Sequence, residues 1–567
     1  MKSTSRIRMI SIAILLVSFC MVLRLYFLQI VHHEQYVNEA GKQRVKGSDR
    51  SLNRGAIFFE TKDKTLISAA TEKKGYTVAL VPKVLENATT TFEKLSSIFE
   101  LEKEDFFAKA TKKNDPYEEI ARKIPEDKAN QIKALKIPGV GVYSESWRFY
   151  PGGRQASHVV GLLGYKGEEY AGRYGLERFY EKTLSRDSED LFANFFVEIF
   201  SNVKNTITSS EGEGNIVSTI EPTTQSSLEE TLRKIQNKWS SAETGGIIID
   251  PMTGEIYAMA SIPDFDPNDF RDVEDPKVFS NPLVEEVREM GSIIKPLTVA
   301  AGLNERVITA NSTYFDNGSI TLNTETIYNH DKKTGRGQTT IQDALGNSLN
   351  MGMVFVMQKL GREKFSTYML DFGLGERTGI DLPNEAQSLV SNLQSPRDIE
   401  HATASFGQGI ALTPVATVRA LSTIGNGGIL ITPHVVKKIQ FTNGLSKTLD
   451  YKEGRRVITK ETSNEITRML VELVDTNLLD GKAKNPHYSI AAKTGTAQIA
   501  NSTDGGYYKD RYLHSFFGYF PAYEPKFLVF LYTVYPKNVS FASNTLAEPF
   551  FDLSKFLINY YEVTPDR

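Results

Sequence analysis

A serine and a lysine stand three residues apart in the segment GSIIKP, at Ser292 and Lys295. Residues with this spacing share one face of a helix, so the hydroxyl would lie about one turn from the amine. A serine hydroxyl is a poor nucleophile at neutral pH, and a lysine can activate it only if burial or positive charge lowers the lysine pKa. The two residues are therefore a candidate nucleophile and base. A plain helix start, with serine as N-cap and proline in the first turn, would also account for them.

The spacing S-x-x-K is not specific by itself, because composition alone gives about two copies in a chain of this length. A second copy does occur, at Ser201 and Lys204. It lies at the edge of NVKNTITSSEGEGN (residues 202–215), whose polar and glycine content predicts a linker. No apolar helix follows that copy to hold the two side chains rigid, so we take Ser292 and Lys295 as the functional copy.

A second motif begins the segment NSLNMGMVFVMQKLG (residues 347–361). Ser348 and Asn350 stand there directly ahead of an apolar run with helical spacing. The Ser348 hydroxyl could relay a proton, and the Asn350 amide could orient an amide of the substrate.

The third motif is AAKTGTAQ (residues 491–498), in a predicted strand. Lys493 supplies a positive charge at the strand edge. Thr494 and Thr496 supply two hydroxyls, and Gly495 lets a substrate backbone approach closely. Another Lys-Thr-Gly begins at Lys333, but it stands in the turn-like stretch HDKKTGRGQ, ahead of the serine and asparagine motif, so we set it aside.

Composition excludes several classes of function. The 567 residues include 66 Lys and Arg against 69 Asp and Glu, for a formal charge of −3, so nucleic acid is not an expected partner. Cys20 is the single cysteine, which excludes an internal disulfide and a thiolate metal site.

A strongly apolar segment near the N-terminus, residues 9–31, is long enough to cross a bilayer, and Arg24 within it can snorkel to the interface. Lys2, Arg6 and Arg8 precede it, which predicts a cytoplasmic N-terminus and an exported remainder. The sequence therefore predicts a single-pass protein of the cytoplasmic membrane. A cleaved signal peptide is the alternative, although no small-x-small site follows the apolar run. A lipoprotein is disfavoured by the bulky residue before the cysteine.

The chain after this anchor mixes strands and helices as far as the linker. KGYTVALVPK (residues 74–83) predicts a strand, and residues 84–113 predict a helical region. LFANFFVEIF (residues 191–200) has the repeat of an amphipathic helix, for which we favour ordinary packing over a membrane or partner contact. No catalytic constellation occurs here, so this part is predicted to be an elongated α/β pedestal that binds partners.

The pattern of predicted helices and strands changes beyond the linker. Residues 225–239 predict a helix, and residues 244–261 predict a hairpin that turns at DPMTGE. Further strands are expected at 489–499, 514–520 and 526–535, after a long, mostly helical stretch. Strands at both ends with helices between them predict an α+β fold, an antiparallel sheet closed by its termini with an inserted helical subdomain.

These patterns give four predicted regions. They are a cytoplasmic tail (1–8), a transmembrane helix (9–31), the pedestal with its linker (32–215) and a catalytic domain (216–567).

The three motifs together resemble the joint signature of the penicillin-binding proteins and the related β-lactamases. The likeness covers nearly the whole chain and is closest to the class B, monofunctional penicillin-binding proteins. Besides the anchor, it rests on NRGAIF (53–58), RFYPGGRQASHVVGLLG (148–164), YGLERFYEKTL (174–184), IPDFDPNDF (262–270), FGQGIALTP (406–414) and IGNGG (424–428). The sequence departs from the family in FFETKDKT, where an Asp-Arg-Asn-Gly-like turn is usual, and in the apolar segment 191–200.

The resemblance implies a penicillin-binding transpeptidase fold, with helices on both faces of the sheet, and a serine D,D-transpeptidase that cross-links peptidoglycan stem peptides. Neutral Lys295 would take the proton of Ser292, whose oxygen attacks the penultimate D-alanine, and Ser348 would help protonate the departing D-alanine. The backbone N–H groups of Ser292 and Thr496 would form the oxyanion hole. The implied catalytic residues are Ser292, Lys295, Ser348, Asn350 and Lys493. The implied substrate-binding residues are Asn350, Lys493, Thr494, Gly495 and Thr496.

The same resemblance implies partners. These are D-Ala-D-Ala stem peptides, an amine acceptor, β-lactams, the membrane and a multi-spanning peptidoglycan glycosyltransferase. No cofactor and no metal ion are expected. A β-lactamase and a β-lactam sensor share the motifs. The first would not need a long membrane-tethered pedestal, and the second usually has several spans. The third alternative is a scaffold without catalytic activity. The presence of every motif side chain argues against it.

Overall fold

The computed structural model describes residues 52–112, 115–167, 169–186, 212–271, 273–330, 335–451, 454–501 and 505–567. The predicted tail and transmembrane helix, the apolar segment 191–200 and the second S-x-x-K copy lie outside these residues. Within them, no helix combines the length and apolar character that crossing a membrane requires. The described residues divide into two compact units, one within the ranges Met1–Asn53 and Glu72–Phe149 and one within the ranges Arg54–Thr71 and Tyr150–Arg567.

Twenty strands lie in the described residues. They are β1 (Ile57–Glu60), β2 (Leu66–Leu80), β3 (Glu118–Ile124), β4 (Val140–Phe149), β5 (Leu163–Lys166), β6 (Glu169–Gly172), β7 (Gly214–Ser218), β8 (Glu243–Ile249), β9 (Ile256–Ile262), β10 (Thr313–Asp316), β11 (Ser319–Leu322), β12 (Glu325–Tyr328), β13 (Gly337–Thr340), β14 (Ile429–Leu430), β15 (Val436–Phe441), β16 (Ser446–Thr448), β17 (Arg455–Arg456), β18 (Ala491–Ala500), β19 (Tyr507–Phe520) and β20 (Phe527–Val534).

The α-helices of the described residues follow the same order. They are α1 (Ala88–Ser96), α2 (Lys103–Ala110), α3 (Glu126–Ala134), α4 (Ser157–Val160), α5 (Gly175–Phe179), α6 (Glu181–Leu184), α7 (Pro222–Trp239), α8 (Pro282–Glu285), α9 (Lys295–Asn304), α10 (Ile341–Gly346), α11 (Asn350–Leu360), α12 (Arg362–Asp371), α13 (Asp398–Ala404), α14 (Pro414–Gly425), α15 (Lys460–Thr476) and α16 (Ala542–Tyr560). Short 3-10 turns occur at Pro276–Phe279, Gly291–Ile294, Ser391–Gln394 and Leu478–Gly481.

The smaller unit pairs the second part of β2 with β3 and β4 and packs α1, α2 and α3 around its own core. The Asn87 side chain caps α1 by accepting from the Thr90 N–H, and Phe92 of α1 meets Phe106 of α2 with 5.4 Å between ring centroids. The predicted strand and helical region are therefore confirmed, with the helical region divided into two helices.

The larger unit contains a five-stranded antiparallel sheet in the order β18-β19-β20-β8-β9. The early hairpin β8-β9 joins the late strands through β20, so the predicted closure of the sheet by its two ends is confirmed. β19 begins at Tyr507, well before the predicted start at residue 514. Its first residues are largely exposed and polar, so they lack the apolar alternation on which the prediction depended.

Helices cover both faces of this sheet, as predicted. On one face, Phe516 of β19 lies 4.6 Å from Phe550 of α16, measured between ring centroids. On the other, the Tyr519 hydroxyl and the Thr467 hydroxyl of α15 are 2.8 Å apart. Successive residues of a strand point to opposite faces, so the odd-numbered residues of β19 face the half of the unit that contains α15.

The inserted stretch between β9 and β18 contains eight of the sixteen described α-helices, α8 to α15, but also three two-stranded sheets, β10-β13, β11-β12 and β14-β17. The sequence did not predict these sheets, because their strands are only two to four residues long and few of the strand residues are buried. A second sheet of this unit has the order β16-β15-β7-β1 and continues into the first residues of β2. β7 begins at Gly214, inside the predicted linker. The four region boundaries remain predictions.

Candidate active site

Ser292 lies in the 3-10 turn Gly291–Ile294, which leads directly into α9. The Ser292 side chain is half-buried, whereas Ile293 and Ile294 are buried. Met290 and Ile294 occupy the cap positions of the turn and the helix, and neither side chain makes a capping hydrogen bond. Ser292 therefore does not serve as the N-cap, and a plain helix start does not explain it.

Lys295 is the first residue of α9 and is fully buried. Its Nζ donates to the Ser348 carbonyl at 2.6 Å and lies 3.2 Å from the Ser348 Oγ. Burial first, and then the positive charge of Lys493, hold the pKa of Lys295 well below its ordinary value. The amine can therefore be neutral, and accept a proton, at a pH where an exposed lysine could not.

Ser348 connects α10 and α11 with a left-handed backbone, at φ +54°. Its Oγ receives a second amine, the Lys493 Nζ, at 3.0 Å. A hydroxyl can accept two hydrogen bonds and still donate one, so Ser348 can pass a proton onward while both amines hold it. The structure thus brings together Lys295, Ser348 and Lys493, which were predicted from three separate motifs.

Lys493 is 1% exposed, and burial lowers its pKa to about 7. It lies in a strand, β18, as predicted, and β18 is one of the two edge strands of the five-stranded sheet. Lys493 and Gly495 lie on the buried face of this strand. Thr494 and Thr496 lie on the opposite face and are half-buried, and the Thr496 Oγ1 accepts from the Ala542 N–H at 3.3 Å.

Gly495 packs against the chain itself. A Cβ at this position would lie 2.3 Å from the Ser515 Oγ and 2.7 Å from the Met290 carbonyl oxygen. The sequence motif indicates a glycine that lets a substrate backbone approach closely. The structure accounts for it by close packing of β18 on the segment before Ser292.

Asn350 begins α11 and its Nδ2 donates to the Tyr328 carbonyl at 2.8 Å. The next residue, Met351, donates its N–H to the Asn329 Oδ1 at 3.1 Å. These two bonds tie the start of α11 to the end of β12. The structure does not join Asn350 by a described hydrogen bond to the two lysines. Of the second Lys-Thr-Gly, only Gly335 is described.

Two residues that hold the serine turn are not predicted from the sequence. Ser515 of β19 donates its hydroxyl to the Met290 carbonyl at 2.8 Å. Gly407 accepts from the Gly291 N–H at 3.1 Å, and a Cβ on Gly407 would lie 2.1 Å from the Gly291 oxygen. Gly407 stands in FGQGIALTP, whose two glycines were a signal for a tight loop. Nothing local distinguishes Ser515 from any other strand serine.

The chain matches two family models. That of the penicillin-binding protein transpeptidase domain covers residues 244–553, and that of the penicillin-binding protein dimerisation domain covers residues 52–189. Stage V sporulation protein D of Bacillus subtilis is 31% identical over 546 residues, which are 93% of this chain and 81% of that protein. Peptidoglycan D,D-transpeptidase FtsI of Escherichia coli K12 is 30% identical over 454 residues, 76% of this chain and 70% of that protein.

Solved structures share the fold. Penicillin-binding protein 3 of Mycobacterium tuberculosis, complexed with aztreonam, has a TM-score of 0.68 at 21% identity, covering 91% of this chain and 97% of that one. Penicillin-binding protein 2X of Streptococcus thermophilus has a TM-score of 0.73 at 21% identity, covering 89% and 79%.

The site therefore combines three features: an edge strand with Lys-Thr-Gly-Thr, a buried lysine of the S-x-x-K motif, and a serine that accepts from two amines. More than half of the chain matches the transpeptidase model. The chain belongs to the penicillin-binding protein family, in its class B branch. Its activity is that of a serine-type peptidoglycan D,D-transpeptidase. The β-lactamase and sensor alternatives receive no support from these comparisons.

Proposed function

We propose that Ser292 is the acylated nucleophile and that Lys295 is its base. The observation that carries this assignment is the burial of the Lys295 amine beside a second amine, which lowers the Lys295 pKa, at the start of the helix that follows Ser292. A lysine that is neutral near the working pH has the property that a general base requires. The half-buried Ser292, one turn earlier, remains accessible to a substrate.

The reaction then proceeds in two halves. Ser292 loses its proton to the Lys295 Nζ, and its Oγ bonds to the carbonyl carbon of the penultimate D-alanine. The peptide bond to the terminal D-alanine breaks, and the proton reaches the departing amine through the Ser348 hydroxyl. An amine of a second stem peptide next attacks the ester, and its proton returns by Lys295 to Ser292. A β-lactam enters the first half by opening its ring amide.

Substrate binding is assigned to the edge of β18. A terminal strand of a sheet offers backbone groups to an added peptide, which would pair along it. Thr494 and Thr496 would bind the substrate carboxylate from the half-buried face, and the Lys493 charge behind them would add electrostatic attraction. Asn350 would hold a substrate amide. The backbone N–H groups of Ser292 and Thr496 would stabilise the oxyanion, at a few kcal/mol per donor.

Intact-mass measurement after treatment with penicillin tests the nucleophile. The unaltered protein should gain one adduct, and Ser292→Ala should gain none. Ser201→Ala removes the serine of the other S-x-x-K copy and is the matched control, which should label fully. An adduct that persisted on Ser292→Ala would overturn the assignment.

The position in the cell is part of the proposal. Residues 9–31 would span the cytoplasmic membrane once, with Lys2, Arg6 and Arg8 in the cytoplasm and the catalytic unit outside. A chain beginning after Val31 should then leave the membrane fraction and still bind penicillin. If this shortened chain sedimented firmly with membranes, anchoring by one segment would be wrong. Residues 191–200 would then be the next candidate for a membrane contact.

The enzyme should cross-link glycan strands and leave their polymerisation to a multi-spanning glycosyltransferase, contacted through the anchor and the pedestal. Helix packing in lipid can be specific, which gives the anchor a role beyond tethering. Purified protein supplied with lipid-linked disaccharide pentapeptide should make glycan only with that partner. Glycan made by this protein alone would refute the monofunctional assignment.

A further inference from the structure

The segment just before Ser292 is paired on one side with the loop that follows α13. Arg288 and Leu412 exchange both backbone hydrogen bonds, each 2.9 Å long. Three residues after Arg288, the Gly291 N–H donates to the Gly407 carbonyl at 3.1 Å. The strip from 288 to 291 therefore lies against residues 407–412 by its backbone.

Glu289 adds a side-chain contact in the middle of this strip. Its Oε1 accepts from the Gly409 N–H at 3.0 Å, and both of its carboxylate oxygens lie 3.0 Å from the Tyr507 hydroxyl. Tyr507 is the first residue of β19 and pairs with Ala500, the last residue of β18. One carboxylate thus connects the strip before the nucleophile, the 407–412 loop and the far end of the catalytic strand.

The serine turn has no free space between these elements. A Cβ on Gly291 would lie 2.7 Å from the Thr496 carbonyl oxygen of β18, and a Cβ on Gly407 would lie 2.1 Å from the Gly291 oxygen. Both glycines have positive φ, at +63° and +84°. Because the turn is in close contact with backbone on both sides, a shift of either neighbour must move the turn.

We propose that Glu289 and Tyr507 are positioning residues, whose contact holds β18 and the 407–412 loop at the spacing that the Ser292 turn needs for acylation. The proposal rests on the proposed role of Ser292 as the nucleophile. The two residues act on the acylation step rather than on the initial binding of a β-lactam, since neither contacts Lys295, Ser348 or Lys493 by a described hydrogen bond. Burial and the Glu289 charge raise the pKa of Tyr507, which keeps the hydroxyl protonated as the donor.

Acylation kinetics of the full-length protein in detergent test this role. With a fluorescent penicillin over a range of concentrations, the dissociation constant of the first complex and the limiting acylation rate are measured separately. Tyr507→Phe removes one hydroxyl, and Glu289→Ala removes the carboxylate. Each should lower the limiting rate about tenfold and change the dissociation constant less than about twofold. The double variant should be no slower than the slower single variant, because Glu289→Ala already removes the contact that Tyr507→Phe removes.

Tyr508→Phe is the matched control. It removes a hydroxyl from the next residue of β19. The guanidinium carbon of Arg511 lies 4.1 Å from the centroid of the Tyr508 ring, and phenylalanine would keep this contact. This variant should acylate at the unaltered rate. Active-site titration and thermal unfolding of every variant distinguish a lower acylation rate from a smaller fraction of folded protein. If Glu289→Ala does not fold, Tyr507→Phe still tests the proposal.

Three results would overturn the proposal. They are an unaltered limiting rate in Tyr507→Phe, an equal loss in Tyr508→Phe, and losses that multiply in the double variant. Each can occur while Ser292 is still the acylated residue. By contrast, a penicillin adduct on Ser292→Ala would remove the proposed function on which this inference rests.

Discussion

The lysines of the active site and the lysines of the smaller unit differ in burial, in carboxylate partners and, where their pKa is shifted, in the direction of that shift. In the smaller unit, Lys109 bonds to Asp105 at 2.6 Å and Lys112 pairs with Glu118, and both lysines reach solvent. The Glu118 hydrogen bond raises the pKa of Lys112. In the active site, Lys295 and Lys493 are buried, described with no carboxylate partner, and have lowered pKa values.

This difference separates lysines that contribute to solubility or local structure from lysines that can do chemistry. Exposed ion pairs contribute little to stability, because water and salt screen them. A buried amine beside another amine opposes stable folding, so its presence indicates a function that requires a neutral amine. Four variants test whether that distinction holds.

The largest effect is expected for Lys295→Arg. A guanidinium keeps the positive charge but cannot accept a proton near neutral pH, so acylation by penicillin should fall at least about 10³-fold, nearly as far as in Lys295→Ala. Stopped-time labelling with fluorescent penicillin measures the rate. Substantial acylation by the arginine variant would show that Lys295 contributes charge alone.

Ser348→Ala should have the next largest effect, a loss of about 10²-fold in the acylation rate. The change removes the hydroxyl that both amines hold and leaves the Lys295 bond to the residue 348 carbonyl in place. Ser366 is a buried serine on α12, and Ser366→Ala is the control for the loss of a serine hydroxyl as such. The labelling kinetics of the two variants are compared. Equal rates in the two variants would exclude a proton relay through Ser348.

Lys493→Met should slow acylation at least about tenfold, because Lys295 loses the neighbouring charge that helps to lower its pKa. It should also raise the melting temperature by about 2 °C or more. The folded pKa is about 7 and the ordinary value is 10.5, so between these values the unfolded chain binds more protons and stability rises with pH. At neutral pH the amine therefore destabilises the fold, and a methionine of similar length removes that effect. A lower melting temperature would contradict the account.

Lys112→Ala should have the smallest effect. Its ion pair is exposed, so neither the melting temperature nor the labelling rate should change measurably. Calorimetry and penicillin labelling of the same sample check both points. A loss of labelling would mean that the exposed lysines of the smaller unit are not distinct from those of the site.

The sequence predicted those parts of the site that short motifs encode. An apolar helical run follows Ser292 and Lys295 but not Ser201 and Lys204, and α9 is that helix. The early hairpin and the late strands were likewise evident from alternation and turn residues. Each of these features depends on neighbours within about ten residues.

Contacts between distant residues could not be predicted in this way. Ser515 holds the Met290 carbonyl across 225 positions of sequence, and Glu289 reaches Tyr507 across 218. No local pattern marks either contact. The face on which Lys493 meets Ser348 likewise follows from the register of β18 against β19, which a single strand pattern does not contain.

The central claim is that Lys295 is neutral when it takes the proton of Ser292, and the pH dependence of acylation tests it most directly. The limiting rate of penicillin acylation should rise with pH and level off well below 10.5, the ordinary lysine value, because burial and Lys493 lower the Lys295 pKa. In Lys493→Met the midpoint should move to higher pH. A rate in the unaltered protein that kept rising until pH reached the ordinary lysine value would contradict the account.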